Sequence, residues 1–465
     1  MTDVVDRLRA ELGAGLRTDP EARAAHRRDT WVLSELRELR GEPPPDPAAV
    51  AEPATTGEAA AVLRICHEAG VPVVPFGGGS GVCGGIEGRP DAVVVSTRRL
   101  RGLRRLSAED LLARFGAGTG GMEAEQVLEE CGLTLGHWPQ SIELSTVGGW
   151  VATRASGQFS TAYGSIEDLV VALEVVLPGG RVLEVGRGPR SANGPDLRHL
   201  FLGSEGTLGL VTEVELSLRR LPELRLPQAF HFESLPAGLP AIRELLQVGI
   251  HPPVVRLYDP PESARHFASW CPEGRAMLIL LHKGPEAPTR AAAEVALRQV
   301  GAVGGVAADP AAVEHWLEHR NRVPGFRGFL ERRIILDTIE VACAWSRVGE
   351  LYRRVLDALA PVPGLLVASA HSSHSYRSGT SLYFTFAARP EDPAEMPGLY
   401  RTCWERTLTE TLAVGGTVSH HHGIGRVRRE ALARELGPEG VALLRGLKRA
   451  LDPRGIMNPG VLIPD

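Results

Sequence analysis

Gly77-Gly78-Gly79-Ser80-Gly81-Val82-Cys83-Gly84-Gly85 sets six glycines in nine residues, between the apolar runs Val71-Pro72-Val73-Val74-Pro75 and Ala92-Val93-Val94-Val95. Both flanks read as strands. Glycine at successive positions frees φ and removes every Cβ, so consecutive N–H groups can turn toward an anion such as a phosphate. Gly79-x-Gly81-x-x-Gly84 satisfies the dinucleotide-binding pattern, but that pattern needs a helix at its end and an acidic residue about 20 positions on. Ile86-Glu87-Gly88-Arg89-Pro90 is too rich in breakers to open a helix, and the chain near position 100 is basic at Arg98, Arg99 and Arg101. The loop therefore reads as a phosphate cradle outside a Rossmann unit, with a flexible surface turn as the alternative.

Upstream, Thr55 and Glu58 sit at capping-box spacing ahead of a helix over 58–69 that Gly70 stops. Downstream, Leu111 to Gly116 reads as a strand and Met122 to Cys131 as a helix. Val170 to Leu177 turns at Pro178-Gly179-Gly180 into a hairpin, and Leu208 to Leu218 alternates as a strand. Beyond Leu221 scattered prolines mark a boundary. From there to about residue 415 helices (291–300, 311–320, 348–359) alternate with strands (251–258, 276–281, 381–387), an α+β segment. Arg429 to Ala450 reads as a helix. The division expected is an N-terminal helical segment over 1–44, domains over 45–221 and 222–425, and a segment over 426–465 packing back on the first domain.

At 465 residues the chain has ample core volume for two or three domains. Six scattered cysteines without a C-x-x-C pair suggest neither a disulfide framework nor zinc. A net charge of −5 from evenly mixed acids and bases argues against a nucleic-acid or membrane-surface binder. With no apolar h-region near the start and no membrane-length apolar run, the expectation is a cytoplasmic protein with no transmembrane segment.

Two further segments repeat the glycine-and-hydroxyl chemistry. His137-Trp138-Pro139-Gln140-Ser141 leads through Ser145-Thr146-Val147-Gly148-Gly149 to Thr153-Arg154-Ala155-Ser156, where Arg154 can balance a phosphate charge. Gly203-Ser204-Glu205-Gly206-Thr207-Leu208-Gly209 precedes a strand beginning Leu210-Val211. The first of these fits close approach of backbone to a large planar or phosphorylated ligand, with an ordinary buried loop as the alternative, and three such loops in one region point jointly to one extended ligand.

Taken together, Pro75, Phe76, Gly77, Gly78, Gly79, Ser80 and Gly81 with these two segments resemble the FAD-binding blocks of flavoenzymes of the vanillyl-alcohol-oxidase type, with the fold named for p-cresol methylhydroxylase (PCMH). The alkylglycerone-phosphate synthases are the nearest likeness. The resemblance covers roughly residues 45–465. It implies an α+β protein: a two-subdomain FAD-binding domain of PCMH type with an α+β cap or substrate domain. It assigns FAD to the first loop, Gln140, Ser141, Ser145, Thr146, Thr153, Arg154, Ala155, Ser156, Glu205, Gly206, Thr207, Leu208, Gly209, Leu210 and Val211. A homodimer is in keeping with the family likeness alone.

The remaining chemistry lies downstream. Ser419-His420-His421-His422-Gly423-Ile424-Gly425, if extended, puts His420 and His422 on one side and His421 on the other. They read as acid/base groups, anion donors, metal ligands or a structural cluster, and metal is disfavoured because no Cys, Asp or Glu lies near in sequence. Ser381-Leu382-Tyr383-Phe384-Thr385-Phe386 alternates, leaving the Tyr383 phenol on the face opposite the apolar residues. By resemblance, Tyr383 is the acid/base tyrosine, with Tyr376 the competing candidate, and the histidine run is functional. Arg327, in Pro324-Gly325-Phe326-Arg327, stands for the substrate-phosphate arginine, although the Asp that usually follows is missing. Arg256 and His137 match positions near flavin and substrate. The reaction implied exchanges the acyl chain of acylglycerone phosphate, a lipid phosphate, for a fatty alcohol through a flavin N5 adduct. The rival is FAD-dependent oxidation of a 2-hydroxy acid or alcohol. A phenol with a pKa near 10 is a poor base at neutral pH, so neighbouring positive charge is expected to lower it.

Overall fold

Thr55 accepts a hydrogen bond from the Glu58 N–H at 3.1 Å, and Gly70 ends the same helix, Thr56–Ala69, in the left-handed conformation at φ 66°. The helix delivers the chain into strand Val73–Phe76, beside which Val93–Ser96 runs parallel. Only turns and a single bridge residue lie between these strands, so no Rossmann unit forms. The computed structural model describes residues 1–322 and 325–464, in two compact units.

The first unit comprises Met1–Ser156, Ser165–Arg220 and His421–Asp465. It holds a four-stranded sheet in the order Leu16–Arg17, Ala49–Ala51, Val93–Ser96, Val73–Phe76, and a five-stranded antiparallel sheet running from Leu103–Ser107 through Leu112–Gly116, Leu210–Ser217 and Val170–Val176 to Val182–Val185. Each has its own core: Val62, Val73 and Val93 in one, Phe115, Trp150 and Val214 in the other. The helix Arg429–Leu451 is broken at Gly437 (φ 67°), which precedes Pro438, because proline cannot continue the preceding turn.

The second unit comprises Gly157–Gly164 and Leu221–His420. Its seven-stranded antiparallel sheet has the order Val306–Ala308, Leu224–Phe232, Ala276–Gly284, Val254–Tyr258, Leu365–Ser375, Gly379–Ala388, Ile335–Ala344. Strand alternation divides it into two faces: Leu382, Phe384 and Phe386 are buried, while Tyr383 and Thr385 on the other side are half-buried. Helices Trp345–Leu359 and Met396–Ala413 pack on the sheet. Asp337, in register with Phe386, anchors the latter helix by accepting the Tyr400 hydroxyl at 2.7 Å and the Trp404 indole N–H at 3.2 Å. Two donors left unmatched in a buried site are costly. Asp337→Ala is therefore expected to lower unfolding free energy by about 3 kcal/mol in urea titrations. Asp337→Asn, which keeps an acceptor, should lose less, and an unchanged Ala midpoint would remove the anchor.

Candidate functional site

The three glycine-bearing segments interlock in the first unit. A Cβ on Gly77 would lie 2.7 Å from the Thr146 hydroxyl, so the first loop sits directly against the second. Thr146 caps helix Val147–Thr153 by accepting from the Gly149 N–H at 3.2 Å. Gly148 backs onto Ala117, where a Cβ would come within 2.6 Å of the alanine methyl. The third segment joins the second through Gly203 N–H to the Val151 carbonyl (2.9 Å) and Glu205 N–H to the Ala152 carbonyl (2.8 Å). Gly206 (φ 72°) packs against Pro75. None of the N–H groups of Gly78, Gly79, Ser80 and Gly81 donates to another described residue, and this loop stays partly accessible. Bare, accessible donors on a loop free of Cβ atoms fit a pyrophosphate.

Other assigned residues take varied positions. Gln140 is exposed and Ser141 half-buried, whereas Ser145 is buried and accepts the Trp150 indole N–H at 2.8 Å. Thr153 donates to the Gly149 carbonyl, Ala155 is buried, and the Ser156 hydroxyl meets that of Ser165 at 2.6 Å. Arg154 (φ 54°) is exposed and pairs with Glu167 at 3.2 Å. Thr207, Leu208, Gly209, Leu210 and Val211 are buried.

Glu205 turns its side chain away from its own loop. Its carboxylate accepts the N–H groups of Ile424 at 2.6 Å and Gly425 at 2.9 Å, which fixes the end of the histidine run. The Asn458 amide donates to the carbonyls of Glu205 (2.7 Å) and Gly85 (3.1 Å). Asp29 accepts the Gly85 N–H at 2.8 Å. Burial pushes both carboxyls up to about 7, against the pull of their backbone donors, and for Glu205 the charge of Asp29 adds to the rise. His137 is wholly buried beside Trp150, and neither ring nitrogen has a partner among the described residues. Burial brings it down to about 3, so it is neutral.

The histidine run is bent rather than extended, and the His421 and His422 rings meet edge to face at 4.5 Å. Strict side-to-side alternation therefore does not hold. Within the second unit, His420 Nε2 lies 2.7 Å from the Tyr376 hydroxyl, and its ring stacks on His374 at 4.9 Å. His374 Nδ1 lies 2.6 Å from the Ser160 hydroxyl. Tyr383 accepts the Thr338 hydroxyl at 2.9 Å and stacks on His371 at 4.9 Å. Contrary to the lowering expected, its pKa is pushed well up, by burial first and then by Glu340 and Asp337, against Thr338 and Arg256. The phenol is protonated. Arg256 reaches both the Tyr258 hydroxyl and His371 Nε2 at 3.4 Å and lies over the Trp316 ring at 5.1 Å. Arg327 stands exposed on a short helix and pairs with Glu331 at 3.2 Å; Pro324 of its motif lies outside the described residues.

Four groups escaped the sequence reading. Asp29 and Glu262 gave no signal beyond proximity to helix starts, and His371 was masked by the polar run His371-Ser372-Ser373-His374. Arg320 closes a helix, forms a mutual pair of hydrogen bonds with Gln158, and lies over Phe159 at 5.0 Å and Trp316 at 5.9 Å.

Comparison with known proteins agrees with a flavin site. Residues 221–462 match the family of FAD linked oxidases, C-terminal domain, and residues 47–186 match an FAD binding domain. The chain belongs to the FAD-linked oxidases, it has the PCMH-type fold, and its cofactor is FAD. Among individual relatives, an uncharacterized FAD-linked oxidoreductase, YgcU, of Escherichia coli O157:H7 is 34% identical over 438 residues, 90% of each chain. Alkyldihydroxyacetonephosphate synthase of Trypanosoma brucei brucei is 30% identical, covering 99% of this chain and 80% of that one. A solved alkyldihydroxyacetonephosphate synthase aligns with TM-score 0.81 at 25% identity, over 99% of this chain and 84% of that chain. p-Cresol methylhydroxylase shares the fold, with TM-score 0.78 at 16% identity over 100% and 97%. Among the described residues no helix is long and apolar enough to cross a membrane.

Two outcomes follow. Gly79→Val, at φ 67° with its Cβ position 2.7 Å from the Phe76 ring, should release FAD, measured as loss of the flavin spectrum after gel filtration. Asp29 and Glu205 titrate near 7 when folded but near 4 when unfolded, so the folded chain holds protons that the unfolded chain gives up. Stability of the flavin-free protein is then highest at low pH within that window, falls as pH rises from about 4 to about 7, and levels off above it. Asp29→Asn should flatten the urea-midpoint profile; a midpoint rising with pH would contradict the assignment.

Proposed function

We propose that the protein exchanges the acyl chain of acylglycerone phosphate for a fatty alcohol, in the manner of the alkyldihydroxyacetonephosphate synthases. The supporting observation is the chain of cations and rings in the second unit. Arg256 and Arg320 share the Trp316 ring, and Arg320 and Lys283 share Phe159, with Lys283 Nζ 3.7 Å from the Phe159 centroid. Three cations gathered on aromatic faces suit a phosphate dianion carrying an apolar chain. Bound FAD supplies the electrophilic partner for the reacting carbon. In this reading Arg256 holds the phosphate, with Arg327 as the family-based alternative, and the histidines at 420–422 manage charge on the departing carboxylate. Tyr383, protonated, donates a hydrogen bond to developing charge rather than acting as the base.

A second reading, oxidation of a 2-hydroxy acid, is favoured by a different observation: Arg256 lies beside His371, whose other nitrogen is held by Glu262, a pairing suited to a carboxylate next to a hydroxyl proton. Anaerobic mixing separates the two. Alcohol exchange on acylglycerone phosphate without lasting loss of flavin absorbance is expected; rapid bleaching by a 2-hydroxy acid with no exchange would replace the first reading with the second. Tyr383→Phe should retain FAD and lose about 100-fold in kcat. Arg256→Gln should lose about 100-fold in kcat/KM, chiefly through KM, while Arg327→Gln changes it by less than about threefold. The reverse ranking would return the phosphate to Arg327.

A further inference from the structure

Glu262 lies in helix Pro260–His266, whose cap Asp259 accepts the Glu262 N–H at 3.0 Å. Its side chain is buried and fully engaged. One oxygen accepts the Thr385 hydroxyl at 2.9 Å and the Ser369 hydroxyl at 3.3 Å, and the other meets His371 Nδ1 at 2.7 Å. Burial alone would raise this carboxyl, but the hydrogen bonds from His371 and Thr385 and the charge of Arg265 hold it below the ordinary carboxylate value. It is a carboxylate at any working pH and can only accept, so His371 Nδ1 carries a proton.

The other nitrogen faces Arg256 Nη1 at 3.4 Å, and a guanidinium can only donate. An N–H at Nε2 would set donor against donor, so Nε2 presents a lone pair. The ring is fixed between two phenols, Tyr258 at 5.0 Å and Tyr383 at 4.9 Å. The charged and titratable groups around it are Glu262, Arg265 and His266 on the helix, Arg256 and Tyr258 on one neighbouring strand, and Tyr383 on the other. A His–Glu pair that merely tied helix to sheet would place Nε2 against apolar surface or a fixed donor. Here the donor is poorly matched: Arg256 Nε is buried without a partner among the described residues, and both Nη1 contacts are long.

We infer that His371, oriented by Glu262, is the general base of this enzyme, and that Arg256 covers its lone pair until a substrate anion draws the guanidinium away. The inference rests on the reading that the second unit holds the substrate's anion on Arg256, and it is the same for phosphate or carboxylate. The C–H or O–H bond next to the carbonyl or carboxylate breaks, its electron pair stays on the substrate, and the proton goes to Nε2. Glu262 balances the imidazolium, which returns the proton to product or solvent. Tyr383 then has no need to ionise.

The test uses the FAD-loaded enzyme. Nitrogen-15 histidine spectra, with the His371 signal assigned by its loss in His371→Asn, should show a neutral ring protonated at Nδ1, and glycerol 3-phosphate or D-lactate should shift Nε2. Glu262→Gln should relax that tautomer. A ring protonated at Nε2 near neutral pH would overturn the inference whether or not either substrate turns over. If neither substrate turns over, the proposed function fails and the spectra still decide the pair. With turnover, His371→Asn should lose about 10³-fold in kcat, keep glycerol 3-phosphate or D-lactate affinity within about threefold, and regain at least about tenfold with added imidazole. Retention of more than a tenth of kcat, no rescue by imidazole, or parallel loss of FAD and anion binding would reduce His371 to a structural role.

Discussion

The Glu205 carboxylate ties together parts of the flavin-binding unit that are more than 200 residues apart. It receives the amides of Ile424 and Gly425 while its own carbonyl and that of Gly85 are held by Asn458. Glu205 and Asn458 together thus join the third glycine segment, the end of the first and the close of the histidine run. Backbone donors are strong partners, yet burial still raises the carboxyl, and the nearby Asp29 raises it further. The unit therefore keeps, beside its cofactor loops, two acids that resist ionisation. Such strain is tolerable because both are engaged by N–H groups that would otherwise be orphaned. The same arrangement makes the glycines necessary, since a Cβ on Gly423 would meet the Glu205 carboxylate at 3.0 Å.

In the second unit the constraint is register. Tyr258 pairs with His371, His371 with Tyr383, and Tyr383 with Glu340, across four neighbouring strands. Cross-strand partners share a face, so one row of the sheet places two phenols, an imidazole and a carboxylate side by side. Arg256 and Thr385, two positions along their strands, fall on that face too. A one-residue slip would turn all of them into the apolar layer and bring Leu382 and Phe384 out.

Much of this was legible in the chain. The missing helix after Gly85 excluded a Rossmann unit from local residues alone, and the period of two around Tyr383 correctly predicted its face. What escaped has identifiable causes. Strand Leu224–Phe232 and helix Leu235–Gln247 hide in a proline-rich stretch, where Pro236 occupies the first helical turn and Pro240 is tolerated further in. Helix Met396–Ala413 buries Thr407 and Thr411 along with Trp404, so its inner face lacks a clean apolar stripe. The Glu262–His371 contact spans 109 residues and depends on strand pairing, which no local pattern encodes. Arg327 was placed by motif spacing alone, and its exposed pairing with Glu331 depends on a short helix that the spacing did not reveal.

The neighbours of Tyr383 decide which group on that row can take a proton. Glu340 and Asp337 lie close enough for their charge to raise the phenol beyond what burial does, and Arg256 offsets only part of this. A base of useful strength must have given up its proton at working pH, and this phenol keeps its own. His371 does, because the Glu262 carboxylate draws the proton to Nδ1 and leaves Nε2 as the acceptor. The two rings are stacked partners in one register, yet their carboxylates act in opposite senses: those near Tyr383 keep its proton on, and the one behind His371 keeps Nε2 open. Division of labour between donor and acceptor on this face then follows from where three acids sit, with Arg256 placed to answer whichever anion arrives.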